Sequence, residues 1–151
     1  MSTPSITGFH HIAVIARRDY GKAVAFYADV LKLTRRVEFV VTGRNFSLFD
    51  CGGGNYIELV DQTADQQTSD QQTGDHAESK PATLAHLALR TNDVDGMIAR
   101  VRDAGYVVTV EPVSLSLPTH SGPNPFNVRI AFFDGPEGES IELFDEQTRL
   151  I

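Results

Sequence analysis

Tryptophan is absent, cysteine occurs once, and no apolar run approaches the length of a membrane span. The lone thiol, Cys51, has no partner for an internal disulfide, which fits a reducing compartment. A transmembrane helix needs roughly 18–20 consecutive apolar residues, so no membrane association is expected. Basic residues are also scarce: 13 Lys and Arg against 20 Asp and Glu leave a formal charge of −7. A nucleic-acid surface needs clustered cations to displace counterions from phosphates, and Arg17-Arg18 and Arg35-Arg36 are isolated doublets. No nucleic-acid partner is expected. The opening Met1-Ser2-Thr3-Pro4-Ser5 lacks the basic start and apolar stretch of a secretory leader, so a cytoplasmic location is expected. No Gly-x-Ser-x-Gly elbow occurs. Gly52-Gly53-Gly54 lacks the following helix and Lys of a phosphate cradle and reads as a hairpin turn.

What is present is an internal repeat. Phe49 to Asp61 aligns without gaps on Phe133 to Asp145, with seven of thirteen positions identical. Each segment reads as strand, Gly-containing turn and strand, ending in Ile-Glu-Leu-x-Asp. Upstream, His11-Ile12-Ala13-Val14-Ile15 resembles His86-Leu87-Ala88-Leu89-Arg90, and each run leads into a helical pattern. In the first, Asp19 is the expected N-cap and Ala23, Tyr27, Val30 and Leu31 the apolar stripe. In the second, Asp93 caps, Val94, Met97, Ile98 and Val101 form the stripe, and Gly105 closes the helix. Extended runs follow at Val37–Val41 and Tyr106–Val110. The order is β-α-β-β-β, twice. Expected modules are therefore 7–61 and 81–146, joined by a polar linker over 62–80 rich in Gln, Thr, Asp and Ser, which has too little apolar surface to bury. A second stretch, Val113 to Pro125, holds three prolines and is expected to be an irregular lid.

Each module offers one histidine opening its first strand and one glutamate inside its last. Strand neighbours alternate between faces, so Glu58 and Glu142 oppose their aliphatic neighbours. A lone strand glutamate is usually a solvated charge, and a lone histidine usually a satisfied polar residue. Two of each at equivalent places can instead converge about a pseudo-twofold axis. Two imidazoles and two carboxylates, His11, Glu58, His86 and Glu142, suit one divalent metal ion such as Zn, Ni, Co, Mn or Fe. His10 competes with His11, but alternation points it the other way, and His11 shares with His86 the following apolar-Ala-apolar pattern. His76 and His120 fall in polar or Pro-rich stretches, and Cys51 beside a turn is a weak candidate nucleophile.

These motifs, with Ala25-Phe26-Tyr27-Ala28-Asp29-Val30-Leu31 and Phe133-Asp134-Gly135-Pro136-Glu137-Gly138, resemble the glyoxalase/bleomycin-resistance/extradiol-dioxygenase family, the vicinal oxygen chelate superfamily, over roughly residues 7–146. The resemblance implies an α+β fold in which two paired βαβββ modules form a cup-shaped, metal-centred half-barrel. It also implies a small-molecule substrate and a homodimer. Whether the site lies within one chain or across two stays open. The His, Glu, His, Glu set is similar to that of the glyoxalase I-like branch; methylmalonyl-CoA epimerases carry Gln at the position of Glu58. The implied activity is a lyase or isomerase reaction of lactoylglutathione lyase type through an enediolate-type intermediate. Glu142 and Glu58 are the catalytic candidates, with Glu142 favoured as base. A metal-dependent dioxygenase, or a non-catalytic resistance-type binding protein, is the alternative. The glutathione pattern is poorer: Ile15, Gln62 and Ala82 stand where glutathione-using members carry Arg, Asn and Arg. Arg90 and Arg129 are the available replacements.

Overall fold

Alternating apolar residues build most of the chain into strands, and two capped helical stretches cover one side of them. The computed structural model describes residues 3–65, 83–136 and 138–150. The elements run β1 (Ile6–Ala16), α1 (Tyr20–Ala25), β2 (Thr34–Val41), β3 (Arg44–Gly52), β4 (Asn55–Asp61), β5 (Leu84–Thr91), α2 (Val94–Asp103), β6 (Val108–Leu117), β7 (Thr119–Ser121), β8 (Phe126–Asp134) and β9 (Ser140–Glu146). Most of the stretch expected as a linker, including the Gln repeats and His76, lies outside the described residues. Among the described residues no helix is long and apolar enough to cross a membrane.

The strands form one sheet in the order β6-β8-β9-β5-β1-β4-β3-β2-β7. β1 runs parallel to β4 and β5 parallel to β9, while β1 and β5 pair antiparallel at the centre. The connectivity of the left half thus repeats in the right half, as the duplicated sequence predicts. β6 and β7 sit at opposite ends of this order although only Pro118 separates them in the chain. The sheet must therefore curl until its ends meet, and Val40 donates its N–H to the Pro118 carbonyl at 3.0 Å across the seam. The result is the expected α+β half-barrel.

The helices pack on the convex face. Asp93 caps α2, its carboxylate accepting from Gly96 N–H at 2.9 Å, and Val94, Met97, Ile98 and Val101 are all buried, the first three clustered with Leu143. Asp19 caps α1 in the same manner. The first stripe is only partly realised. After Ala25 the helix widens into a π turn over Phe26–Val30, in which Leu31 N–H reaches back to Phe26 O at 3.0 Å. The wider turn breaks the 3.6-residue phase, so Tyr27 packs near Phe49 while Val30 and Leu31 stay exposed.

The Pro-rich stretch is not a lid. Val113 to Leu117 continues β6, paired antiparallel with β8 from Ser114 opposite Arg129 to Leu117 opposite Phe126. Pro112 falls in the register shift between Val110 and Val113, where an edge strand tolerates a missing N–H. Leu115 and Leu117 then alternate into the concave side, and alternation outweighs the prolines.

Candidate metal centre

Two alanines organise the site. On β1, Ala13 stands opposite Glu58 of β4 on one side and His86 of β5 on the other. On β5, Ala88 stands opposite His11 of β1 and Glu142 of β9. Cross-strand partners share a face, so all six residues look into the cup. Both alanines are fully buried, and their methyl groups leave the space that the four longer side chains fill.

The four polar ends converge. His11 Nε2 and His86 Nε2 are 3.0 Å apart, and each is 3.0 Å from Glu142 Oε2. Glu58 Oε1 lies 3.6 Å from His11 Nε2 and 3.7 Å from His86 Nε2. Atoms of His11, Glu58 and His86 all fall within 4.8 Å of one another, and Glu142 joins them through its two contacts. Donor atoms about 2.1 Å from a shared ion stand about 3.0 Å apart at a right angle and about 3.4 Å apart at a tetrahedral one. The three 3.0 Å separations match the first figure, and the Glu58 distances of 3.6 and 3.7 Å lie slightly beyond the second. A second observation agrees: Glu142 Oε2 is buried and has no hydrogen-bond partner of good geometry, although the two imidazole nitrogens stand 3.0 Å away. Such an oxygen is costly to bury unless a cation meets it.

The carboxylates differ in their electrostatics. Burial raises the proton affinity of Glu58, aided by the charge of Glu142 and only partly offset by the histidines. Burial would raise Glu142 too, but His11 and His86 hold its pKa down to about 2. Burial lowers the His11 pKa, yet Glu58 and Glu142 outweigh it and leave the group raised.

Above the cluster is a cavity of about 180 Å³. Glu58, His86 and Glu142 form its floor; Phe39, Phe46, Leu115, Leu117, Phe132 and Phe144 supply much of the wall. Among the described residues no Lys or Arg lines it.

Residues 8–143 match the family model described as Glyoxalase/Bleomycin resistance protein/Dioxygenase superfamily. The chain belongs to this superfamily. Among solved structures it is similar to methylmalonyl-CoA epimerase from Mycobacterium tuberculosis, at 22% identity and a TM-score of 0.69 over 98% of this chain and 93% of that one. A variant of Streptomyces coelicolor methylmalonyl-CoA epimerase in complex with 2-nitronate-propionyl-CoA gives 23% identity and a TM-score of 0.68, covering 95% of this chain and 100% of that one. A hypothetical protein from Bacillus halodurans C-125 gives 18% and 0.67, with 99% of each chain covered. These likenesses show the superfamily fold. Nothing among curated proteins matches the chain.

Within that fold, several residues sit elsewhere than the sequence suggests. His10 does not turn away from His11. A bulge between Phe9 and His11 on the β5 side of β1 breaks the alternation, and both histidines are fully buried. His10 packs on Phe144 with ring centroids 4.1 Å apart and bonds His11 and Glu146. Arg129 forms a bidentate pair with Asp95 on the surface, and Arg90 bonds the carbonyls of Phe9 and Gly54; neither lines the cavity. His120 and Cys51 are exposed; partial desolvation of the Cys51 sulfur, with the charge of Asp50, pushes the thiol up, away from thiolate chemistry. The phenylalanines of the wall carry one sequence signal, the i, i+2 spacing that puts Ile130 and Phe132 on one face of β8.

Proposed function

We propose that this protein is a metal-dependent lyase or isomerase that moves a proton at a carbon next to paired oxygens of a small substrate. The observation that carries this reading is the meeting of His11, Glu58, His86 and Glu142, the last three of which floor an apolar cavity. A divalent ion held by these four would supply Lewis-acid stabilisation to negative charge developing on neighbouring substrate oxygens. His11, His86 and Glu142 are the tighter set, at 3.0 Å from one another. Glu58 stands further from both imidazoles, and its raised proton affinity suits a group that accepts a carbon-bound proton at Oε1 and returns it. The symmetry of the repeat does not distinguish it from Glu142; its surroundings favour it. The aromatic wall excludes water, which strengthens the electrostatics at the floor.

The cavity also favours a substrate class. It is smaller than the roughly 300–1,000 Å³ of drug-sized sites, so it suits a small molecule or the reacting end of a larger one. With no cation in its lining among the described residues, a substrate carboxylate away from the metal would lack a partner there. A neutral, mainly apolar group carrying two adjacent oxygens fits best, and glutathione hemithioacetals fit poorly. The apolar lining supports a second reading, a binding protein that sequesters such molecules.

Hydrogen–deuterium exchange separates the two. Small 2-oxo and 2-hydroxy carbonyl compounds and acyl thioesters are incubated in D2O with the metal-loaded protein and followed by proton NMR. Loss of the signal of the hydrogen next to the carbonyl is expected, and its rate should fall by about 10²–10⁴ in Glu58→Gln. Ligand binding that survives chelation without any exchange would support sequestration, and oxygen uptake with Fe(II) would point to a dioxygenase.

A further inference from the structure

The side chains behind the cluster form a chain of contacts that the four converging residues do not use. His11 presents Nε2 to the cluster, and its other ring nitrogen, Nδ1, lies 2.7 Å from Nδ1 of His10. His10 in turn bonds Glu146 through Nε2. Arg90 Nη2 stands 3.6 Å from the same Glu146 oxygen. His10 is fully buried, its ring between Tyr56 and Phe144 with centroids at 5.1 and 4.1 Å. It has no freedom to choose other partners.

The proton positions follow from this order. An ionised carboxylate only accepts, so His10 Nε2 must donate to Glu146. Neutral His10 is then left with an acceptor at Nδ1. That acceptor can be satisfied only if His11 carries its proton on Nδ1, which leaves the lone pair of neutral His11 on Nε2, facing His86 and the carboxylates. We infer that His10 is a positioning residue: with Glu146 and Arg90 it fixes the His11 ring and tautomer so that Nε2 is presented as a metal ligand. The inference rests on His11 being a ligand, and it accounts for a buried, adjacent histidine pair held inward by a strand bulge. His86 has no equivalent partner chain among the described contacts; its ring meets Phe132 edge-on. The two histidine ligands are therefore supported unequally.

Two readouts test this. The first is imidazole ¹H–¹⁵N NMR of the metal-free protein, which needs no variant and no activity. His10 protonated on Nε2 and unprotonated on Nδ1, beside a protonated His11 Nδ1, is expected; His10 protonated on Nδ1 would overturn the inference. The second is Co(II) titration followed by visible absorption. His10→Phe keeps a ring between Tyr56 and Phe144 but removes both hydrogen bonds, and about a 10–100-fold weaker affinity is expected. Glu146→Gln retains an acceptor oxygen and should lose less than Glu146→Leu. Unchanged Co(II) affinity in His10→Phe, with His11→Ala abolishing binding, would sink the positioning role alone. Unchanged affinity in His11→Ala would instead sink the ligand assignment, and the positioning role with it.

Discussion

Glu58 and Glu142 occupy equivalent places in the repeat yet sit in unlike surroundings. Both imidazoles press on Glu142 at 3.0 Å, whereas Glu58 stands back at 3.6 and 3.7 Å. Without metal, the two carboxylates therefore act on stability in opposite directions. Glu142, held at about 2 against an ordinary 4.5, contributes stability above about pH 5 that is lost as the pH falls toward 2, on the order of 3 kcal/mol. Glu58 is raised, so its contribution is full below the ordinary carboxylate pKa and is lost as the pH rises through its folded value. His11, also raised, adds a loss in the same sense. Denaturant midpoints of metal-free protein should thus fall from weakly acidic to alkaline pH. Glu58→Gln, which cannot ionise, should flatten that slope; an unchanged slope would refute the assigned burial of the charge.

At the scale of elements, the cup depends on the seam between the two ends of the sheet. β7 is only three residues long and meets β2 through Glu38 opposite Ser121 and Phe39 opposite Thr119. Gly122 follows it with φ at +90°, and a Cβ there would lie 2.5 Å from the Arg36 carbonyl oxygen. Backbone cannot yield as a side-chain tip can. Gly122→Ala should cost roughly 1–3 kcal/mol through overpacking and strain, measured by urea denaturation. Gly8→Ala, where a new Cβ would meet nothing closer than 3.9 Å, should stay within about 0.5 kcal/mol. Equal effects at both sites would mean that closure does not constrain the strand.

For the molecule as a whole, the four converging residues come from β1, β4, β5 and β9, the centre of the sheet and both halves of the repeat. An ion bound there would tie the halves together and stabilise only the folded state. Free metal at 100 times its dissociation constant should add about 2.7 kcal/mol, a rise in Tm on the order of 5–10 °C for a chain of this size. Differential scanning calorimetry with Zn(II), and again after chelation, measures it directly. A Tm indifferent to both would count against a metal centre, and a shift surviving in His11→Ala would place the ion elsewhere.

Much of this was legible in one dimension because duplication leaves a signature that chance seldom imitates. The matching Ile-Glu-Leu strands and His-x-Ala strands carry the α+β half-barrel, the family and the four residues that meet, since strand periodicity decides which side chains share a face. The helix caps and the stripe of α2 were equally local and equally readable. Where a local rule is broken by a single inserted residue, reading along the chain fails. The bulge at His10 turns two consecutive histidines inward, the π turn at Phe26 throws Val30 and Leu31 outward, and an edge strand absorbs Pro112. None of these has a sequence pattern of its own, because each is stabilised by contacts with partners far away in the chain. Sequence alone thus determined the repeat and the four residues that converge. Only the tertiary structure decided that Glu58 and Glu142 are inequivalent, that phenylalanines and aliphatic side chains wall the cup with no cation among the described residues, and that His10 stands behind His11, since each depends on burial and distance that no spacing encodes.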